Sequence, residues 1–201
     1  MMQYRIGIDG LYERLIIWNG YLKRKVRLIA CGGTALTLLG FKESTKDIDL
    51  MVPDDGEYTY LLGMLEDLGY KCIGGHSWRA NDVFIFDIYR GNFIHTTELL
   101  ESPLIPGNHA LIREFSRIYL GALNDYDLII SKLFRGTSID IEDCLTLFEG
   151  RRGEIDTASL EARFKEAAKY VIGEEKCHKT FQIFMGQVKE RADKWSIEVQ
   201  T

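Results

Sequence analysis

Asp47-Ile48-Asp49 is the first place in this chain where residue type and spacing point to chemistry. The stretch Asp47 to Val52 reads as a strand, in which side chains alternate with period two. Both carboxylates then face one side, with Ile48 and Leu50 on the other. Two carboxylates on one dry face repel each other, and a hard divalent cation taking oxygen ligands from both removes the conflict. The plain alternative is a solvated strand carrying two harmless acids. Asp87 is a third acid, set inside the apolar run Val83-Phe-Ile-Phe-Asp-Ile-Tyr89. An ionised carboxylate there is costly unless paired or metal-bound. Laid beside Asp47 to Val52, that run completes a three-carboxylate cluster. Placed at the strand's solvent end, Asp87 would instead pair with Arg90. Asp82, at the start of the run, reads as a loop cap.

Upstream, the strand Arg27 to Cys31 is broken by Gly32-Gly33, and a short helix runs from Thr34 to Leu39. A strand, a glycine pair and a helix start expose backbone N–H groups, a geometry that suits phosphate. The Thr34 hydroxyl could donate to a phosphate oxygen, or the glycines could make only a tight turn and Thr34 only a cap. One short helix and one loop separate this turn from Asp47. The chain can therefore fold back and bring phosphate donors and acids to one sheet edge.

The elements that would position these residues follow from periodicity. Leu11, Leu15, Trp18 and Leu22 have helical spacing, predicting a helix over Leu11 to Lys25. A helix over Tyr58 to Leu68 follows the Asp54-Asp55-Gly56 turn, then a strand from Tyr70 to Ile73, a loop from Gly74 through Asn81, and a late strand from Arg117 to Leu123. From Asn124 the pattern becomes helical, with helices to Phe134, from Ser138, after a cap at Asp156, and around Phe181 to Trp195. The predicted organisation is an α/β core over 1–123 and a helical region over 124–201.

Composition bounds the rest. The 201 residues are 46% hydrophobic and 27% charged, with net charge −5, ordinary globular usage. Net acidity argues against a protein that coats duplex DNA through a broad basic face. Met1 to Arg14 lacks a signal-peptide pattern, and no run approaches the roughly 18 apolar residues of a membrane span. Four scattered cysteines form no C-x-x-C pair, so reduced thiols in a cytoplasmic protein are expected. Gly69 to Gly74 has Walker-A glycine spacing, but Gly75-His76 follows where Lys-Ser/Thr is required.

Gly32-Gly33-Thr34-Ala35, Ser44-Thr45-Lys46-Asp47-Ile48-Asp49-Leu50 and an acid in a late strand resemble the DNA polymerase β-type nucleotidyltransferases. The resemblance is nearest to the small prokaryotic branch that includes AbiE-type toxins. It covers residues 25 to 90 well and extends more weakly over Asp127-Leu-Ile-Ile-Ser-Lys132 and Asp140-Ile-Glu-Asp143. It implies a small mixed sheet flanked by helices with a helical C-terminal half. It implies that Asp47, Asp49 and Asp87 are catalytic and bind Mg²⁺ (or Mn²⁺), and that Gly32, Gly33 and Thr34 hold the triphosphate. Thr34 stands where many relatives have serine, and Glu43 where an arginine is common. The implied chemistry is two-metal transfer of a nucleoside monophosphate from an NTP to a hydroxyl. Lys132 would reach a phosphate, unless it pairs with Asp127 or Glu142.

The acceptor is open: RNA, protein or small molecule. Lys23, Arg24, Lys25 and Arg27 could contact an RNA backbone or simply be solvated. The resemblance also brings a possible antitoxin partner. Competing with the enzyme are a catalytically inactive nucleotide- or partner-binding module on the same fold, and a helical interaction protein presenting residues such as Trp195.

Overall fold

The spacing of Leu11, Leu15 and Trp18 does bury one side of a helix, α1 (Ile8–Tyr21). The computed structural model describes residues 4–80 and 83–198; Asp82 and the side chain of Trp195 lie outside the described residues. α1 stops at Tyr21 because Leu22 turns extended, so the basic run after it is not helical. The chain divides into two compact units, one ending at Asn124 and the other starting at Asp125.

The first unit is built on a seven-stranded mixed sheet. Its strands and helices run β1 (Val26–Ala30), α2 (Gly32–Leu38), β2 (Ile48–Val52), α3 (Asp55–Asp67), β3 (Lys71–Gly74), β4 (Ser77–Arg79), β5 (Phe86–Arg90), β6 (Phe93–Ile94), β7 (Thr97–Glu98), β8 (His109–Glu114) and β9 (Ile118–Leu123). The order across the sheet is β3-β4-β5-β2-β1-β9-β8, with β6 and β7 forming a separate two-stranded ribbon. β2 pairs parallel to β5, and β1 parallel to β9, while β1 and β2 are antiparallel.

Every residue of β2 is buried, as a strand with neighbours on both sides and helices above requires. α3 starts where the Asp54 carboxylate accepts from the Glu57 N–H at 2.9 Å, a standard N-cap, and it packs on β1 and β2. α1 covers the sheet through Trp18, which packs at a tilt against Phe86 at 4.8 Å between centroids and donates Nε1–H to the Tyr70 hydroxyl at 3.2 Å. Phe86 precedes Asp87, so by strand alternation α1 covers the face opposite that acid.

Three segments depart from the sequence expectation. The Gly74-to-Asn81 loop contains β4, which forms a hairpin with β3 through Gly75-His76. β5 begins at Phe86, and Val83 is exposed; its neighbour β4 is too short to pair with the earlier residues. β8, whose residues are nearly all on the surface, has no hydrophobic alternation to reveal it. Both outermost strands carry a register shift, between Cys72 and Gly74 in β3 and between Leu111 and Arg113 in β8.

The second unit is helical: α4 (Asp125–Arg135), α5 (Ser138–Gly150), α6 (Thr157–Ala168) and α7 (Glu174–Glu198). Asp156 caps α6 by accepting from the Ser159 N–H at 2.8 Å. Phe164 stacks on Phe181 with centroids 4.2 Å apart. Buried charges also tie this unit. Asp127 takes a bidentate contact from Arg163 at 2.7 and 2.8 Å. Asp140 is fully buried between Arg135, Thr137 and Lys132, and it closes a capping box with Thr137.

Burial alone would raise the Asp140 pKa, but the hydrogen bonds from Arg135 and Thr137 and the charges of Arg135 and Lys132 bring it down to about 2 from an ordinary 3.8. A depressed folded-state pKa means stability that is present above the unfolded value and lost as pH falls through the folded one. Between about pH 4 and pH 2 the chain should therefore lose on the order of 2 kcal/mol from this residue alone. Denaturant titrations across that window should show the loss in the wild type and a smaller slope in Asp140→Asn, which starts less stable at neutral pH.

Candidate active site

Asp49 and Asp87 are register partners on the parallel strands β2 and β5, so their side chains leave the same face of the sheet. Ser77 on β4 is in turn the antiparallel partner of Asp87, and its hydroxyl donates to Asp87 Oδ1. Asp47 stands one residue ahead of β2, where sequence alternation would have put it in the strand. A different device holds it. The Thr34 hydroxyl donates to the Asp47 carbonyl at 3.2 Å and accepts the Asp49 N–H at 2.8 Å, and the Thr45 hydroxyl donates to the same carbonyl at 3.1 Å. One threonine thus spans both acids through their backbones.

The electrostatics follow. The Asp47 carboxyl is pushed above its usual range, first by partial loss of solvent and then by the negative charge of Asp87, with Lys46 opposing. Asp47 and Asp87 therefore feel each other across the strand end. Among the described residues no three histidine, cysteine or carboxylate side chains are drawn tightly enough together to clasp an ion as they stand. The donor chemistry nevertheless fits a hard divalent cation: the groups are carboxylate oxygens, and the repulsion between Asp47 and Asp87 is what a cation removes.

The glycine pair serves this arrangement directly. Gly32 has φ +55°, and a Cβ there would fall 2.5 Å from Asp49 Oδ2; one on Gly33 would fall 2.5 Å from the Thr45 hydroxyl. Both positions are bare because the acid and its brace lie against them. Thr34 differs from its expected role. It is fully buried and its hydroxyl is engaged by the backbone of Asp47 and Asp49, so it braces acids instead of meeting phosphate.

Lys132 is also placed differently from expectation. It lies in the helical unit, buried, with Nζ 2.7 Å from Asp143 and 3.6 Å from Asp140. Its partners are neither Asp127 nor Glu142, and its charge is used in holding α4 to α5. The basic run is largely paired as well. Lys25 meets Glu114, Arg27 grips Glu57 at 2.7 Å, and Arg24 donates to the Gly56 carbonyl while lying over Tyr60. Arg151 pairs with Asp125.

Several residues around the acids escaped sequence reasoning. Tyr89 lies two residues past Asp87, hence on the same face, and its hydroxyl is 3.5 Å from Asp49 Oδ1. It also contacts the His95 imidazole at 2.9 Å, and His76 packs on the Tyr89 ring at 4.4 Å between centroids. The period-two step from Asp87 to Tyr89 was an available signal. Nothing in the local sequence marks Ser77, His76 or His95.

Residues 19–193 match a family described as nucleotidyltransferase of unknown function (DUF6036), and the chain belongs to that family. No curated protein matches it. Among solved structures it resembles ANT(2″)-Ia in complex with adenylyl-2″-tobramycin, at 17% identity and TM-score 0.55, over 78% of this chain and 95% of that one. TM1012, a candidate nucleotidyltransferase from Thermotoga maritima, aligns at 14% identity and TM-score 0.46, over 76% of this chain and 100% of that one. The first likeness shows the fold: a mixed α/β architecture of nucleotidyltransferase type.

The glycine geometry gives a direct test. Gly32→Ala combines a left-handed backbone with a clash on Asp49 and should cost on the order of 1–3 kcal/mol. Gly63→Ala, in the middle of α3 with open space around it, should instead stabilise by about 0.5–1 kcal/mol. Melting temperatures of the two variants should move in opposite directions.

Proposed function

We propose that the chain transfers a nucleoside monophosphate from an NTP to a hydroxyl acceptor, with Asp47, Asp49 and Asp87 as its catalytic and metal-binding carboxylates. The observation that carries this reading is the register pairing of Asp49 with Asp87 beside Gly32, with Asp47 close enough to feel the charge of Asp87. In this reading the bare backbone at Gly32-Gly33 receives the triphosphate. Thr34 braces the acids and Lys132 serves the fold of the helical unit. Mg²⁺ or Mn²⁺ bound by the three carboxylates would supply the positive charge that a polyphosphate needs to approach them.

The chain's own residues then do the following. Ser77 occupies Oδ1 of Asp87 and so orients the other oxygen, Oδ2, to take the proton of the acceptor hydroxyl. The acceptor oxygen forms a bond to the α-phosphorus as the bond from that phosphorus to the α–β bridging oxygen breaks, and pyrophosphate leaves. Asp49, held by Thr34 and the Gly32 approach, keeps its carboxylate fixed through the exchange. A toxin-type role, with an antitoxin partner, is supported by the resemblance of the Gly-Gly-Thr and Asp-Ile-Asp segments to AbiE-type proteins.

Incubation with α-labelled NTPs, Mg²⁺ and pools of RNA, protein or small molecules tests the site. Asp47→Asn combined with Asp49→Asn should lower label transfer by on the order of 10²–10³-fold or more, and undiminished transfer would refute the assignment. Calorimetry should show NTP binding that needs Mg²⁺; binding without Mg²⁺ and without turnover would favour the inactive module. For the toxin role, expression should arrest growth and the double variant should not.

A further inference from the structure

Next to the acids lies a pocket of about 670 Å³ formed wholly within the first unit, with His76, Tyr89 and His95 in its lining. We propose that this pocket is the acceptor subsite and that the acceptor is a small, uncharged or cationic hydroxyl-bearing molecule. The proposal rests on the nucleotidyltransferase reading given above and adds the class of its second substrate.

Four observations converge. The pocket volume lies within the range of small-ligand sites, roughly 300–1,000 Å³. Tyr89 joins the pocket to the reaction centre: its ring is buried, and its hydroxyl stands between Asp49 Oδ1 and the His95 imidazole. His95 is, among the described residues, the one non-glycine with a positive φ, +52°, in the turn between β6 and β7. A left-handed backbone at such a residue costs free energy and recurs where surrounding structure holds a side chain for a task; here it aims an imidazole at the Tyr89 hydroxyl.

The fourth observation is charge. Arg90 in the pocket wall is paired with Asp55 at 2.8 Å, which leaves the Glu98 carboxylate of the lining uncompensated by it. Such a pocket disfavours a phosphate-bearing acceptor by like-charge repulsion. An RNA acceptor also needs a basic track, and Lys25 and Arg27 are bound to carboxylates. A hydroxylated neutral or cationic molecule can instead pack against His76 and His95 in the lining, with its hydroxyl directed past the Tyr89 hydroxyl toward the acids. Its oxygen takes the α-phosphorus, its proton passes to Asp87, and pyrophosphate leaves, so the balance is that of the parent reaction.

The test uses the full chain, Mg²⁺ and each α-labelled NTP with three separate pools: total RNA, total protein, and an extract fraction below about 1 kDa split by ion exchange. His95→Asn keeps a residue that tolerates the left-handed turn while removing the imidazole, and His76→Gln removes the ring against Tyr89. The expected result is label in the unretained or cation-exchange-retained small fraction, with KM for that fraction raised about tenfold in either variant and Mg²⁺·NTP affinity by calorimetry unchanged. Label on RNA, on protein or on the anion-exchange-retained fraction overturns the proposal, as does transfer that both variants perform like the wild type. Absence of label in every pool overturns it too. In that case no class of acceptor has taken the nucleotide and the nucleotidyltransferase reading has failed with it, whereas label on one of the other pools means that only the acceptor assignment has failed.

Discussion

Two carboxylates at paired positions of neighbouring strands repel each other, and the first unit is organised around keeping them there. Asp49 and Asp87 share a register step on β2 and β5, and Asp47 adds a third negative group whose carboxyl responds to Asp87. Left to local preference, such groups would turn to water. The buried hydroxyl of Thr34 prevents this by joining the carbonyl of Asp47 to the N–H of Asp49, and the missing Cβ at Gly32 lets the Asp49 carboxylate lie against the chain. The cost of crowding like charges is met by packing on the other face of the sheet, where Trp18, Tyr70 and Phe86 form one aromatic cluster.

Much of this was legible in the sequence, and the reasons differ by element. The acids, the glycine pair and the helices with clear apolar faces all have local signatures: i, i+2 spacing, adjacency and i, i+3, i+4 spacing. Asp47 falls one residue outside β2, and Thr34 and Thr45 both bind its carbonyl, a tertiary contact that periodicity does not encode. β4 and β8 were missed because they are short or surface-lying and lack alternation. His95 reaches Tyr89 only through a strained turn, which no spacing rule announces.

The helical unit shows charges put to another use. For Lys132 the family resemblance implied reach to a phosphate, with an ion pair to Asp127 or Glu142 as the alternative. The lysine is instead buried with Asp140 and Asp143, while Asp127 is gripped by Arg163. Breaking one partner of such a pair costs more than the pair contributes, because the other charge stays buried alone. These ions therefore fix which helix faces meet within that unit, and their sequence pattern alone cannot separate this from ligand binding.

The register shifts in the two outermost strands bear on what the sheet can do in company. β3 and β8 each expose a row of backbone amides and carbonyls, the kind of rim on which a foreign strand can zip and start an aggregate. Irregular spacing at Cys72–Gly74 and at Leu111–Arg113, with charged Lys71 at one rim and Arg113 and Glu114 at the other, denies an incoming strand an evenly pitched ladder. Seven strands are thus an end point for the sheet, and the molecule is guarded against polymerising through its own edges.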